Sequence, residues 1–298
     1  MPAPPDAGDR LDGRIDDRLD GRIRALVRVD TLPDGSPCQV LPHAATLDLA
    51  RALRSKGRNV ARVELAALDL GIAPERYLRN FSTYSHAEQA RLLRSRLALV
   101  GLGGLGGHLL ELLARAGVGH IRAADGDEFA PTNLNRQLLC TRRSLGGYKA
   151  AAAAARVALV NPAVAFEPVA EFLDEALMAP FLDGADLALD ALGGLKDRPA
   201  LLRQAAKAGI PLVTAAVAGQ AGYVATVLPG AAQGPADIFG AGGAAAENTL
   251  GTPAPAVTTA AALMAAEALN ILCGRKPTLV GAMLVFDLET MSFERVRL

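Results

Sequence analysis

The chain has 298 residues, of which 51% are apolar, and its 31 basic side chains balance 31 acidic ones. This length and apolar content are enough for one large domain or two smaller ones with a sizeable core. The zero net charge, without a stretch of dense lysine and arginine interleaved with aromatics, disfavours a nucleic-acid partner.

The first 72 residues divide into two predicted units by composition. Residues 1–30 are dense in charge and repeat the sequence RLDGRI at Arg10–Ile15 and Arg18–Ile23. A period of eight residues fits neither a heptad nor an alternating strand, so we expect a solvated or partly disordered lead-in over 1–30. Over 31–72 we predict a small accessory α/β unit, with a helix near Thr46–Ser55 and a strand near Ala61–Leu65.

The third unit spans residues 73–298 and begins with a helical region, Pro74–Leu93, in which Ser85 and Glu88 form a predicted capping box. From Leu97 onward, apolar strand-like runs alternate with helical ones. We predict strands over 97–100, 120–124, 164–169, 186–190 and 211–217, and helices over 107–116, 147–160, 174–182 and 197–208. This rhythm predicts an α/β, Rossmann-like, mostly parallel sheet with helices on both faces and a site at the carboxyl ends of the strands.

After residue 217 the rhythm changes, which predicts an antiparallel extension of the sheet. A strand over 223–228 is followed by a Gly/Ala/Pro-rich loop over 229–255, a helix over 256–273 and a terminal hairpin of Met283–Asp287 and Phe293–Arg297. The uncharged run Ala208–Leu228 is long enough to span a bilayer. Pro211 and several glycines interrupt it, so we predict two buried strands and no membrane partner.

The cysteines and the N-terminus predict a cytoplasmic protein. Cys38, Cys140 and Cys273 lie far apart and form no C-x-x-C pair, which disfavours a disulfide framework and a zinc site. We expect Cys140 to be a buried free thiol. The N-terminal sequence MPAPPDAGDR lacks the apolar core of a signal peptide.

A glycine-rich turn follows the first strand of the alternating region. Gly101, Gly103 and Gly106 form a G-x-G-x-x-G pattern before a helix that we expect to run from His108 to Ala116. Such a turn lets backbone N–H groups approach phosphates at a helix N-terminus. The pattern alone is weak, because glycines also end strands for steric reasons. Here the next strand ends in Asp125-Gly126-Asp127, where an acid would hold a ribose, and this context favours a nucleotide site.

Further polar residues fall on loops at the same predicted edge of the sheet. They are the segment Thr132–Gln137, Lys149 at the start of a helix, and Asp190 at the end of a strand. Each alone is compatible with an ordinary surface or capping residue. Together they indicate a site for a polyphosphate, in which Arg136 and Lys149 share the charge and an acid holds the ribose or a metal.

The combined pattern resembles the ThiF/MoeB/HesA family, which is related to the ubiquitin-activating enzymes. The resemblance rests on G-x-G-G-x-G from Gly101, on D-x-D from Asp125, on N-x-N-R-Q at Asn133–Gln137, and on Lys149. It covers about Arg76–Leu298 and includes R-Y-x-R-N at its start. It implies an adenylyltransferase domain over 73–298, in which a carboxylate attacks the α-phosphate of ATP with Mg²⁺ and gives an acyl-adenylate and pyrophosphate. The implied partner is a small ubiquitin-like sulfur carrier ending in Gly-Gly, and the implied assembly is a homodimer.

The resemblance also implies roles for individual residues. The glycines would support the phosphates, Asp125 would bind the ribose, and Arg79 would reach into the partner subunit's site. Arg136, Lys149 and Asp190 complete the expected catalytic set. The full expected nucleotide-binding set is Gly101, Gly103, Gly104, Gly106, Asp125, Asp127, Asn133, Asn135, Arg136, Lys149 and Leu192.

The sequence departs from the family pattern at the end of strand 186–190. Family members have D-x-x-D-N there, and the second acid is linked to magnesium. This chain has Asp190 followed by Gly193 and Gly194. Asp190 is therefore the expected magnesium residue, and Asp197 is a nearby alternative. The paired zinc cysteines of the family are absent, so no zinc is expected, and loop 229–255 has no cysteine for thioester chemistry.

Three hypotheses follow from these residues. The first is an ATP-dependent adenylyltransferase that activates a sulfur carrier. The second is a catalytically impaired ATP- or AMP-binding member of the same family, because Gly193 replaces the catalytic acid. The third is an NAD-dependent oxidoreductase, which rests on the glycine pattern alone and gives no role to Arg136 or Lys149.

Overall fold

The chain folds around two β-sheets, a small one near its N-terminus and a large one in the remainder. The structure is a computed structural model that describes residues 17–53, 58–231, 235 and 246–298. The first copy of the RLDGRI repeat and Ser55 therefore lie outside the described residues.

The described part of the small unit contains three helices and a three-stranded sheet. In chain order its elements are α1 (Asp17–Ala25), β1 (Arg28–Thr31), β2 (Pro37–Leu41), α2 (His43–Ala52), α3 (Asn59–Asp69) and β3 (Ala73–Pro74). Strands β1 and β2 are antiparallel, and β2 pairs with β3 in parallel. Leu19 and Ile23 of α1 are buried in its core, so the prediction of a solvated or disordered lead-in is wrong for residues 17–25.

The predicted strand Ala61–Leu65 is wrong, because these residues belong to helix α3. This helix is buried on two sides, with Ala61 and Leu65 in one apolar cluster and Val63 and Ala66 in another. A helix covered on both sides has an almost continuous apolar sequence, and a short run of that kind cannot be told from a buried strand by periodicity.

The large unit begins with a 3-10 helix, Glu75–Asn80, and then α4 (His86–Arg94), whose capping box between Ser85 and Glu88 is as predicted. The sheet strands are β4 (Arg96–Val100), β5 (His120–Ala124), β6 (Ala165–Val169), β7 (Leu187–Asp190), β8 (Leu212–Ala218), β9 (Ala221–Val227), β10 (Ala282–Asp287) and β11 (Ser292–Arg297). The helices between and after them are α5 (Gly104–Ala116), α6 (Lys149–Val160), α7 (Glu175–Leu182), α8 (Arg198–Ala208), α9 (Ala246–Leu250) and α10 (Ala254–Leu272).

The strand order of the large sheet is β11-β10-β9-β8-β7-β4-β5-β6. Strands β4 to β8 are parallel to one another, and β9, β10 and β11 extend the sheet from β8 in antiparallel fashion. The predicted fold class, including the antiparallel extension, is confirmed. The chain leaves β4 toward β6 on one side and returns to β7 on the other. This reversal opens a crevice at the carboxyl ends of β4 and β7, where ligands bind in open α/β sheets.

Both faces of the sheet are covered by helices. Leu97 and Leu99 of β4 point into a core that includes residues of α5, α6 and α10, whereas Ala98 and Val100 point into a core with α7 and α8. Successive strand residues face opposite sides of a sheet, so a strand buried on both faces is apolar throughout.

Two apolar segments belong to this core. Residues 208–228 form the end of α8 and the paired strands β8 and β9, so the prediction of two strands there is confirmed. Helix α10 has the length and composition of a membrane span, but 56% of its most apolar 18-residue window is buried inside the protein. Burial of that extent is typical of a core helix in a globular domain.

The three cysteines are free and buried, as expected for Cys140. Burial raises the pKa of the Cys140 thiol, and it raises the pKa of Cys273 to about 11. Since the thiolate is the reactive form, these side chains are inert packing residues at neutral pH.

Candidate active site

A cavity of about 550 Å³ opens at the carboxyl ends of β4, β5 and β7, at the reversal of strand order. Most of the residues predicted from the sequence lie on its wall. These are Gly101, Gly103, Gly104, Asp125, Asp127, Asn133, Arg136, Lys149 and Leu192. Gly106, Asn135, Asp190 and Arg79 do not line it, although the first three lie close behind the wall.

The glycine turn brings the start of α5 tightly against the sheet. Gly101 has φ +99°, and a Cβ added there would lie 2.5 Å from the carbonyl oxygen of Ala191. A Cβ on Gly106 would lie 1.8 Å from the carbonyl oxygen of Gly101. Side chains at these two positions would push the helix away from the sheet. The role of the two glycines is therefore to allow close packing of the helix against the sheet.

Helix α5 begins at Gly104, four residues before the predicted His108, because its glycine-rich first turn reads as loop in the sequence. Its N-cap residue is Gly103, which has no side chain to cap the first turn. Gly103, Gly104 and Leu105 line the cavity, so the unpaired N–H groups of this turn and the positive end of the helix dipole favour an anion there.

Asp125 orders the glycine turn from the neighbouring strand. Its Oδ2 accepts the backbone N–H of Leu102 at 2.7 Å, and its Oδ1 accepts the N–H of Asp127 at 2.9 Å. Both bonds leave lone pairs on the carboxylate, which is only 10% exposed and borders the cavity.

Lys149 is a nearly buried cation held by the two aspartates of this loop. Its Nζ donates to Asp127 Oδ2 at 2.7 Å and lies 3.8 Å from Asp125 Oδ2, with 7% of the side chain exposed. A lysine at the first position of α6 faces the positive end of that helix dipole, so the carboxylates compensate an otherwise unfavourable placement.

The segment around Arg136 also contributes to the cavity wall. Arg136 Nη1 donates to the carbonyl oxygen of Thr132 at 2.8 Å and to Asn135 Oδ1 at 3.1 Å. Asn133 Oδ1 accepts the backbone N–H of Ala130 at 2.9 Å, so Asn133 fixes the loop. Asn135 therefore positions the guanidinium from outside the cavity, which differs from the direct nucleotide contact predicted for it.

Gln137 is a wall residue that the sequence reasoning left out of the predicted site. Its side chain is 7% exposed, and its Oε1 has no hydrogen-bond partner among the described residues. A buried polar atom without a partner is rare in native proteins. The sequence feature that points to Gln137 is its position as the last residue of the N-x-N-R-Q motif.

Asp190, for which the sequence predicts a catalytic and magnesium-binding role, does not line the cavity. It is 1% exposed, and its Oδ2 accepts from Arg198 Nη1 at 3.0 Å and from Thr214 Oγ1 at 2.7 Å. Its Oδ1 accepts the N–H of Leu192 at 3.1 Å. With both oxygens engaged, Asp190 serves to hold Arg198 and the turn after β7.

Carboxylates from other segments stand near Gly193. Asp197 is exposed and lines the cavity, and Glu247 of α9 lines it beside Gly193. Glu247 was missed, although it and Asp237 are the charged residues of the otherwise uncharged segment 229–255. Across the described parts of the chain, no group of three or more His, Cys, Asp or Glu side chains could hold a metal ion.

Arg79 is exposed on the 3-10 helix and lies away from the cavity of its own chain. Its action in a partner subunit stays a prediction.

Known proteins are similar to this chain in sequence and in fold. Residues 75–298 match the model of the ThiF family. The chain is 33% identical over 214 residues to the SAMP-activating enzyme E1 of Haloferax volcanii, covering 70% of this chain and 78% of the relative. It is 32% identical over 220 residues to the molybdopterin-synthase adenylyltransferase of Escherichia coli, covering 70% and 86%. The crystal structure of E. coli MccB with ATP superposes with a TM-score of 0.64 at 22% identity, over 75% of this chain and 71% of that one.

Proposed function

The chain belongs to the ThiF family, and on that premise we propose that it is an ATP-dependent adenylyltransferase. Its proposed substrate is the C-terminal carboxylate of a ubiquitin-like sulfur-carrier protein that ends in Gly-Gly. One observation carries the proposal: a single cavity joins an uncapped helix N-terminus, the Arg136 guanidinium and the Lys149 ammonium. The two relatives whose names describe adenylation or activation support the same chemistry.

In the proposed step a carboxylate oxygen of the carrier attacks the α-phosphorus of ATP. The bond from that phosphorus to the bridging oxygen breaks, and pyrophosphate leaves with the electron pair. Reactions of this kind depend on positioning and charge stabilisation. The N–H groups at the start of α5 and the Arg136 side chain would hold the phosphates. Removal of one preorganised donor in such a site slows reactions by on the order of 10²–10³.

Lys149 would bind the polyphosphate of the nucleotide, and Asp125 would bind its ribose. An entering polyphosphate competes with Asp127 for the Lys149 ammonium, because both are anions within reach of one Nζ. The free lone pairs of Asp125 would accept a ribose hydroxyl while its backbone bonds keep the glycine turn closed. The side-chain amide of Asn133 would donate to a phosphate oxygen.

Magnesium fits this donor set. Mg²⁺ is bound through one or two carboxylates together with substrate phosphates and waters, so a cage of three protein ligands is not required. Glu247 and Asp197 are the carboxylates on the wall beside Gly193. When bound, the ion would neutralise charge on the phosphates.

The proposal is tested by pyrophosphate exchange with purified protein, ATP and small Gly-Gly carriers encoded by the same genome. We expect exchange that requires a carrier and that stops when the terminal glycine of the carrier is removed. Absence of ATP binding, together with absence of exchange with every carrier, would refute the proposal.

A catalytically impaired ATP- or AMP-binding protein is a second candidate, favoured by Gly193 and by the engagement of Asp190 in the interior. It predicts nucleotide binding without exchange. Fluorescence titration with NADH separates both candidates from an oxidoreductase, for which Lys149 and Arg136 have no role.

We further propose a cytoplasmic homodimer in which Arg79 acts at the partner's site, without nucleic-acid or membrane partners.

A further inference from the structure

We propose that Glu247 supplies, from helix α9, the carboxylate that position 193 lacks, and that it binds the magnesium ion of the nucleotide complex. The inference rests on the proposed function. It assigns to Glu247 the role of the acid that the family pattern has where this chain has Gly193. It would make the chain a working adenylyltransferase in spite of Gly193.

The carboxylate of Glu247 lies beside position 193. A Cβ built on Gly193 would lie 3.5 Å from Glu247 Oε1, and both residues line the cavity. The Glu247 carboxylate thus occupies the space that a side chain at position 193 would enter. Gly193 is not among the residues with positive φ, so its backbone accepts a side chain.

Glu247 is fixed in place by backbone hydrogen bonds. Its Oε1 accepts the backbone N–H of Gly194 at 2.8 Å. Helix α9 is anchored behind it, because the N–H of Gly219 donates to the carbonyl oxygen of Gly251 at 2.8 Å, and Leu250 covers Gly219.

The charge of Glu247 also favours a bound cation. Glu247 is half-buried, and within the described ranges it forms no salt bridge and only Oε1 accepts a hydrogen bond. Burial of an unpaired carboxylate is unfavourable, and a bound cation would remove that cost. Two other acids near the cavity are paired with cations: Asp190 holds Arg198, and Asp127 holds Lys149. Asp197 is exposed on the wall and is the competing candidate that the test separates from Glu247.

The test measures binding of ATP in EDTA and in Mg²⁺ by calorimetry, so that it is independent of turnover. For the wild type we expect Mg²⁺ to tighten binding. In Glu247→Gln, whose amide oxygen can still accept the Gly194 N–H, we expect on the order of tenfold or more of that tightening to be lost, with the affinity in EDTA unchanged or higher. A spin-resonance titration with Mn²⁺ and ATP should show the same loss of the ternary signal.

A relocated carboxylate provides the positive control. Gly193→Asp combined with Glu247→Gln places the acid at position 193, and we expect it to regain most of the Mg²⁺ effect. Asn248→Ala, on the exposed side of the same helix, should behave as the wild type.

Two outcomes would overturn the inference: an unchanged Mg²⁺ effect in Glu247→Gln, or loss of the effect in Asp197→Asn with Glu247→Gln unaffected. Failure of the wild type to bind ATP even in EDTA would instead refute the proposed function itself.

Discussion

Arg136 is held in the cavity wall by its own loop, through the carbonyl of Thr132 and the side chain of Asn135. Those contacts engage only one of its terminal nitrogens, so the rest of the guanidinium fork remains for a phosphate. A cation organised in this manner loses little conformational freedom when the ligand binds.

We therefore expect Arg136→Ala to weaken ATP binding by on the order of 10–150-fold, because a hydrogen bond to a charged group contributes about 1.5–3 kcal/mol. The measurement is a calorimetric titration with ATP. Arg142→Ala is the matched control, since Arg142 is exposed six residues further along the chain and lies off the cavity wall. Equal affinities for the two variants would remove Arg136 from the phosphate site.

The cavity wall shows how far single residues can be inferred from the sequence. Asp125, Arg136 and Lys149 lie on the wall. The sequence indicates all three, because each follows a strand end or begins a helix within a recognisable motif. Asp190 has an equally favourable position after β7, but Arg198 and Thr214 hold it in the interior, and they come from elements 8 and 24 residues away. Glu247 reaches the site from a segment whose path no local pattern specifies.

A buried carboxyl in the small unit makes the stability of the protein depend on pH. Glu64 is 1% exposed on its side chain, and burial raises its pKa to about 7 despite Arg76, whose Nε lies 3.1 Å away. The folded-state pKa lies above the usual value of 4.5, so the folded state binds the proton more tightly. The resulting stabilisation is present below about pH 4.5 and is lost as the pH rises through about 7.

Glu64→Gln should remove this dependence. We expect the free energy of unfolding of the wild type, measured against that of the variant, to decrease between about pH 4.5 and pH 7. Urea denaturation at a series of pH values gives both quantities. Glu289→Gln, at an exposed turn, should follow the wild type throughout, and a constant difference between wild type and Glu64→Gln would contradict the prediction.

Helices α1 and α5 each contain interior glycines, but these glycines lie in different surroundings, so we expect opposite effects on stability when they are replaced. Gly21 of α1 is exposed with open space where a Cβ would be, whereas Gly106 of α5 lies against the carbonyl of Gly101. The strand-turn-helix order was predictable, but the start of α5 was not, because only the contact with the sheet explains glycines inside the helix.

Alanine at the two positions should change the melting temperature in opposite directions. Gly21→Ala is expected to stabilise by about 0.5–1 kcal/mol through helix propensity and reduced backbone entropy. Gly106→Ala is expected to destabilise by several kcal/mol, since backbone must move to admit the methyl group. A neutral Gly106→Ala would mean that α5 does not pack against the glycine turn as described.

At the scale of the whole molecule, the alternation of strands and helices was sufficient to predict the large sheet and the edge that holds the cavity. This was possible because crossovers between parallel strands are right-handed, so that few arrangements of the strands in the sheet remain. The small unit was harder to predict. Helix α3 is buried between two apolar clusters, so its apolar residues do not follow the period of a helix with a single buried face.

The proposed homodimer is testable by complementation between two inactive variants. Arg79→Ala and Lys149→Ala should each abolish exchange if Arg79 acts across the interface. An equal mixture, after subunits are exchanged, should recover about a quarter of wild-type activity, because half of the dimers then carry one intact site. No recovery, in a mixture shown to contain heterodimers, would place Arg79 in the site of its own subunit, and an active Arg79→Ala would place it outside the reaction.

The cluster that joins the two units has a consequence for where this protein can be divided. Tyr77, Phe81 and Leu93 of the family region pack in one core with Val40 and Leu65 of the small unit. Arg76 bridges the same seam, pairing with Glu64 on one side and with the side chain of Asn161 on the other. A fragment that began at residue 75, where the family match begins, would expose half of this core and would leave Arg76 without Glu64. We therefore expect the region that folds independently to be larger than the region that matches the family.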